Sequence, residues 1–349
     1  MEQIYIIMLI ALAILAITDL MVGVSNDAVN FLNSAIGSQA VSFRTIMIVA
    51  SIGVAVGALY SNGMMEIARN GIFTPSMFSF NDVIVIFLAV MITDVLLLDI
   101  FNGLGLPTST TVSIIFSLLG ASVAIAVYKV YVSDGDFNTL SNYINTEKAT
   151  EIVYSILLSV ALSFALGTLV QYVSRLIFTF HIESRYKYVG ALFGGIAMTA
   201  ITFFILVKGL KSITFVPSEV KDFIKDSPLT IIAYSFLLWT TVCQLLISVF
   251  KYSIFKFIII VGTFGLALAF AGNDLVNFIG VPIAAFQAYE IWSAPGQTLG
   301  ASEFMMSGLE KENLPAPFIF LALAGTIMVY TLWTSKKAKA VIETEQNLS

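Results

Sequence analysis

The chain has 349 residues, of which 58% are hydrophobic and 11% charged, with a formal net charge of -5. Soluble domains carry about 25% charged residues, so this composition excludes a soluble enzyme or a nucleic-acid-binding module and requires a polytopic membrane protein. The single cysteine, Cys243, lies in an apolar run, which excludes an intrachain disulfide.

Hydrophobic segments lie at about 4–36, 41–60, 83–102, 106–132, 150–174, 187–207, 228–250, 257–290 and 316–334. A helix needs about 20 apolar residues to cross a bilayer. The first segment has no basic residues before it and reads as a membrane segment, not a cleaved leader. It exceeds one plain span and contains Asn26-Asp27-Ala28-Val29-Asn30-Phe31. The second offers Gly53 and Gly57 for close helix approach, as the sixth offers Gly190 and Gly194. Between them, Asn62–Arg69 reads as a loop or a short interfacial helix. The third holds Asp94, Asp99 and Asn102, and the fourth opens on Leu106-Pro107-Thr108-Ser109-Thr110-Thr111. The loop 133–149, with Asp134, Asp136 and Asn138, reads as an external acidic loop, and His181 as a solvated residue of the basic stretch Arg175–Lys187. The eighth segment, again too long for one span, contains Asn273-Asp274-Leu275-Val276-Asn277-Phe278 and ends near Glu290 and Trp292, an interfacial pairing.

Two copies of N-D-x-V-N-F are the most informative feature. An Asp at bilayer depth costs about 2.5–3.5 kcal/mol on insertion scales, so a fold that keeps it twice uses it. Helical spacing puts Asp27 and Asn30 on one face, with Asn26 and Asn30 one turn apart, and Asn273, Asp274 and Asn277 repeat the pattern. Carboxylate and amide oxygens suit small hard cations. Gly23 and Gly272 precede the motifs, and each is predicted to ease a break that frees backbone carbonyls for an ion. The motif segments are seven crossings apart if each crosses once, so they run antiparallel, as in an inverted repeat. The hydroxyl run Thr108–Thr111 after Pro107 is a candidate anion cradle at a first helical turn, at the tip of a re-entrant hairpin. Asp99, Asn102 and Asp94 are secondary candidates that orient this turn or line its cavity.

No Lys, Arg or His lies in these motifs. Two unit charges 4 Å apart repel by about 4 kcal/mol at an effective dielectric of 20, so an anion cannot sit between Asp27 and Asp274 without cations. The site takes cations alone, or an oxyanion together with cations. An intramembrane aspartyl protease would leave the Asn repeats and the hydroxyl turn unexplained, so no enzymatic activity is expected.

At these residues the chain resembles the inorganic phosphate transporter (PiT) family, whose members carry two G-A-N-D-x-A-N-type signatures in inverted repeats and P-x-S-x-T-type re-entrant turns. The signature stands here as Gly23–Asn30 and Ala271–Asn277, and the turn as Gly105–Thr111. The resemblance implies symport of inorganic phosphate with sodium or protons by alternating access. Asn26, Asp27, Asn30, Asn273, Asp274 and Asn277 would bind ions and substrate, Thr108, Ser109, Thr110 and Thr111 would cradle phosphate oxygens, and Asp27 and Asp274 would hold sodium if sodium couples. Sulfate or another tetrahedral oxyanion, or a cation alone, is the alternative cargo. Ser25 replaces the family's Ala, and Val112 stands where many members have His. No second hydroxyl turn follows Asn277; Ser293-Ala294-Pro295-Gly296 is the nearest stretch, so the sequence is expected to be partial, and transport by this stretch alone to be poor.

The resulting expectation is an all-α polytopic membrane protein, an inverted-repeat secondary transporter with interrupted helices and a re-entrant Ser/Thr turn. Residues 1–132 form the first repeat, 133–256 an intervening region and 257–349 the start of a second repeat. Lys and Arg are slightly more numerous on the side opposite the N-terminus, ending in Lys336-Lys337-Ala338-Lys339, which orients the N-terminus outward across the cell (inner) membrane. Expected partners are phosphate, a coupling cation (no other cofactor) and the bilayer, with a homo-oligomer allowed and nucleic acid not.

Overall fold

A computed structural model describes residues 2–61, 67–133, 135–178, 182–209, 217–294, 298–310, 314 and 316–336. His181, most of Asn62–Arg69, Asp134, most of Pro295-Gly296 and its neighbours, and Lys337 onward lie outside these residues. The described chain is helical: α1 (Glu2–Gly37), α2 (Phe43–Leu59), α3 (Phe80–Leu104), α4 (Thr110–Val132), α5 (Thr146–Phe178), α6 (Ile182–Gly209), α7 (Ser218–Asp226), α8 (Pro228–Ser248), α9 (Ile254–Trp292) and α10 (Phe318–Thr334). Seven of these are long and apolar enough to cross a membrane, and α2 and α10 are shorter apolar helices. Each hydrophobic segment of the sequence lies over one of these nine; α7 is the addition, a short charged helix that no apolar run announces.

Large apolar side chains crowd the exterior. Along α5, Leu157 is 64% and Phe164 79% exposed. Water would not tolerate that surface, whereas lipid is its natural solvent. The chain is an integral, multi-pass membrane protein.

Three sets of contacts fix the direction of the helices around the site. Tyr5 at the start of α1 donates to Asn81 near the start of α3, and Asn26 far along α1 donates to Asn102 near the end of α3. α1 and α3 therefore run parallel. α4 returns antiparallel to α3, as Lys129–Asp82 at one end and Ser113–Asp94 further down show. Tyr5 meets Trp292 edge-on at 5.3 Å, Gly23 meets Phe278, and Phe31 stacks on Phe270 at 4.8 Å. α9 therefore runs antiparallel to α1.

Caps define the hairpin. Ser79 and Asp82 form a reciprocal capping box at the start of α3. Gly105, in the left-handed region at φ 69°, ends it. Ser109 caps α4 by accepting from the Val112 amide. The turn between the two helices stops level with Asp27, while α1 continues for ten more residues, about 15 Å at 1.5 Å per residue. The hairpin tip thus lies short of the end of α1.

The expected interruptions are absent. α1 is helical through Asn26–Asn30 and α9 through Asn273–Asn277, with Pro282 the one proline inside it. The glycines before each motif have another use. A Cβ on Gly23 would fall 2.1 Å from the Phe278 ring, so Gly23 lets α9 approach α1. Gly272 stays in the helix while its carbonyl accepts from Ser61. Pro107 also differs from expectation: it lies two residues before the Ser109 cap and not in the first turn.

α2 lies against α9 through Gly53 and Gly57, as the small-residue spacing predicted. A Cβ on Gly57 would sit 2.3 Å from the Leu268 carbonyl oxygen, a backbone atom that cannot turn aside. Gly57→Val is expected to lower stability by about 1–3 kcal/mol through overpacking, read as an earlier thermal transition in detergent by size-exclusion chromatography. Gly37→Ala, where nothing lies within 4 Å, should leave the transition within about 0.5 kcal/mol of the parent.

Candidate functional site

Helix α1, helix α9 and the hairpin tip converge on one small polar cavity. It has a volume of about 350 Å³ and is lined by Asp27, Asn30, Pro107, Thr108, Ser109, Thr110, Thr111 and Asp274. Seven of the eight lining residues are polar. Asp27 is buried and its Oδ2 accepts from Thr110 Oγ1 at 2.8 Å. Asn30 is exposed to the opening and donates to Asp27 Oδ1 at 3.4 Å. From the opposite helix, Asn277 donates to Thr111 Oγ1 at 3.0 Å and to Thr110 Oγ1 at 3.3 Å. Both motifs thus reach the same hydroxyl run, one through its Asp and the other through its Asn.

Asn26 has a different task from the one its place in the motif suggested. It does not line the cavity. Its Nδ2 donates to Asn102 Oδ1 at 2.8 Å and to the Leu106 carbonyl at 3.3 Å, while its Oδ1 accepts from the Thr108 amide at 2.9 Å. Asn102 in turn donates to the Val22 carbonyl at 2.7 Å. These bonds splice the irregular backbone at the tip to α1 and satisfy polar groups that lipid could not. Asn273, its counterpart, is half-buried, outside the cavity lining and without a side-chain hydrogen bond among the described residues. The two motifs are alike in sequence and unlike in use.

The secondary candidates also separate. Asn102 is the brace just described. Asp99 lies on the exposed side of α3 and does not line the cavity. Asp94 is buried and accepts from Ser113 on α4, away from the cavity. Asp19, which no motif marks in the sequence, is wholly buried on α1 beside Asp94. An Asp inside the apolar run 4–36 was itself a signal; it lacked the flanking repeat that drew attention to Asp27.

Chemically, the cavity offers two carboxylates, one amide and a row of hydroxyls, and no basic side chain lines it. The first amides of α4 have no carbonyl a turn earlier in their own helix, and Ser109 at the cavity wall caps the one at Val112. Such a site is anionic on one wall and a neutral donor surface on the other. Cations can sit by the carboxylates, and an oxyanion by the hydroxyls and helix start.

A many-helix membrane bundle that buries a small polar site between antiparallel helices and a hairpin tip has the make-up of a secondary transporter. The family profile that matches residues 23–344 is that of the phosphate transporter family, and the chain belongs to it. Similar proteins include one named "putative phosphate permease" from Pyrococcus furiosus, 25% identical over 309 residues, covering 86% of this chain and 67% of the relative. Another of the same name, from Thermococcus kodakarensis, is 26% identical over 310 residues, covering 86% of this chain and 68% of the relative. Among solved structures, one titled "The sodium-dependent phosphate transporter" shares the fold, with a TM-score of 0.69 at 19% identity over 97% of this chain and 78% of that one. The family and this structural neighbour are transporters, not enzymes.

The contrast between the two Asn residues is testable by stability alone. Asn26→Ala leaves the Thr108 amide and Asn102 Oδ1 without their partner and is expected to cost about 1–3 kcal/mol. Asn273→Ala should cost less than about 0.5 kcal/mol. Thermal transitions of the two purified variants, compared with the parent in the same detergent, check both.

Proposed function

We propose that the protein is a cation-coupled symporter of inorganic phosphate that works by alternating access. The observation that carries this reading is the shared cavity: Asp27 and Asp274, from antiparallel helices, face the hydroxyl run Thr108–Thr111 with no basic residue in the lining. Family membership supports phosphate as the cargo. The charge argument supports the coupling. Phosphate brings negative charge to a site that already holds two carboxyl groups, so it binds together with cations that neutralise them.

In this reading Asp27 and Asp274, with Asn30 and Asn277, hold the coupling cation, and sodium is the first candidate because hard oxygen ligands suit it. Thr108, Ser109, Thr110 and Thr111 bind phosphate oxygens, together with the first amides of α4. Asn26 and Asn102 position the turn and touch neither ion. The antiparallel run of α1 and α9 supports an inverted-repeat relation between the stretches that carry them. Motion of α9 and its partner α2 against α1 and the hairpin would open the cavity to one side and then to the other. The N-terminus faces outward across the cell's inner membrane, on the balance of Lys and Arg.

Uptake of radiolabelled phosphate into proteoliposomes, driven in turn by a sodium gradient and by a proton gradient, tests the reading and identifies the ion. Asp27→Asn and Asp274→Asn are each expected to lower uptake at least about tenfold, the loss of roughly 1.4 kcal/mol or more of binding or transition-state stabilisation. Excess sulfate should leave uptake intact. Wild-type-like uptake in both variants would remove the site assignment, and full competition by sulfate would widen the cargo to tetrahedral oxyanions.

A further inference from the structure

Behind the cavity, on the same helix as Asp27, lies a second pair of carboxyl groups. Asp19 of α1 and Asp94 of α3 are both fully buried and face each other within hydrogen-bonding range. Ser113 of α4 donates to Asp94 Oδ1. The remaining three oxygens, Asp19 Oδ1, Asp19 Oδ2 and Asp94 Oδ2, are shut off from solvent and have no donor. Two facing carboxylates without a donor between them repel and are left unsolvated. One proton removes both faults, because it neutralises one group and supplies the missing donor to the other.

Among the described residues no basic side chain bonds to either carboxyl; Arg69, buried in the stretch Ile67–Gly71 that packs on α9, is not among the charged groups that act on Asp19. Among the described residues, α1 carries Glu2 and Asp27 besides Asp19. α3 carries Asp82 and Asp99 besides Asp94. α4 carries Lys129, which is committed to Asp82, twelve residues or about 18 Å along α3 from Asp94. Of the other helices packed on α1, α10 has no charged residue, α2 has Arg44 in its first turn, and α9 has Lys256, Asp274 and Glu290. The charged group that acts on Asp19 besides Asp94 is another carboxyl, Asp27.

We propose that Asp19 and Asp94 form a proton-binding site, a carboxyl–carboxylate pair that shares one proton and is distinct from the cavity between Asp27 and Asp274. A metal ion fits poorly there: hard cations gather six or more oxygens, and the pair offers two carboxyl groups and one hydroxyl. The approach for the proton would be through Ser113. Ser113 lines a second cavity of about 510 Å³ along α3 and α4 that also reaches Thr108 and Ser109 at the hairpin tip. Binding is simple in its balance: one proton enters through Ser113, one O–H bond forms on the pair, and the pair's charge falls from two negatives to one. Ser113 and Thr110 sit three residues apart on one face of α4, so the helix that senses the pair also carries the hydroxyl bound to Asp27. The influence of this proton on transport rests on the proposed symport; the site itself does not.

Infrared difference spectroscopy of the full chain, purified and held at neutral pH, tests the site without transport. A protonated-carboxyl C=O band is expected in the parent, lost in Asp19→Asn and lost in Asp94→Asn, because the new amide donates to the remaining carboxylate and lets it ionise. The band should persist in Asp274→Asn and on addition of saturating sodium at constant pH. Ser113→Ala, which keeps both carboxyls, should shift the band without removing it and so guards against a variant that fails to fold. Parent-like spectra in both Asp variants overturn the proposal. So does a band that sodium abolishes, which would make the pair a sodium site. Absent uptake in a protein that shows the expected band counts against symport and leaves the pair standing.

Discussion

The architecture of the site depends on one requirement: non-helical backbone at membrane depth must find its hydrogen bonds inside the protein. The stretch from Gly105 to Ser109 is non-helical backbone, packed part-way along α1. Asn26 meets the requirement by accepting from the Thr108 amide and donating to the Leu106 carbonyl, with Asn102 as the second member of the brace. Everything else at the site follows from where this brace holds the tip. It sets the start of α4 beside Asp27, it gives Thr110 a carboxylate to donate to, and it brings Thr111 within reach of Asn277 across the bundle. The amide is the right group for this work because it donates and accepts at once; a carboxylate at position 26 could do only half of it.

The same brace explains why so polar a site can sit in so apolar a bundle. The helices on either side are held at close range by glycines, Gly23 against Phe278 and Gly57 against the Leu268 carbonyl. Packing of that kind excludes lipid and leaves the small cavity as the polar interior. Without a hydrophobic driving force between helices in lipid, such close contact and buried hydrogen bonds are what hold the bundle together. Stability and function therefore draw on the same few residues.

How far the sequence discloses this arrangement varies by element. All nine apolar helices are legible, since a long run of Leu, Ile, Val and Phe has one meaning in a membrane protein. The N-D-x-V-N-F repeat and the hydroxyl run mark the residues that meet at the cavity. What the repeat does not disclose is division of labour. Asn26 and Asn273 occupy equal places in equal motifs, yet Asn26 braces the hairpin turn, while Asn273 has no side-chain hydrogen bond to a described residue and does not line the cavity. Length misleads in a second way. Segments 4–36 and 257–290 suggest interruption, while α1 and α9 run unbroken, because a glycine in a membrane helix can serve close approach as readily as a break. Asp19 was hidden by the opposite difficulty, a single carboxyl with no pattern around it, whose partner Asp94 lies 75 positions away and is brought close only by the parallel run of α1 and α3.

That parallel run has a mechanical consequence. Asp19 and Asp27 are eight residues apart on α1, about 12 Å and little more than two turns. Asp94 and Asn102 have the same spacing on α3. The two helices are therefore clamped twice in one register, at Asn26–Asn102 by an amide pair and at Asp19–Asp94 by a carboxyl pair. The amide clamp keeps its bonds at any pH. The carboxyl clamp holds only while something positive lies between its two halves, and it faces α4 through Ser113. A scaffold with one permanent and one conditional clamp can keep the hairpin attached while letting its far helix respond. That is the mechanical property a transporter needs if the turn that cradles its cargo is to stay on α1 while the surrounding helices shift.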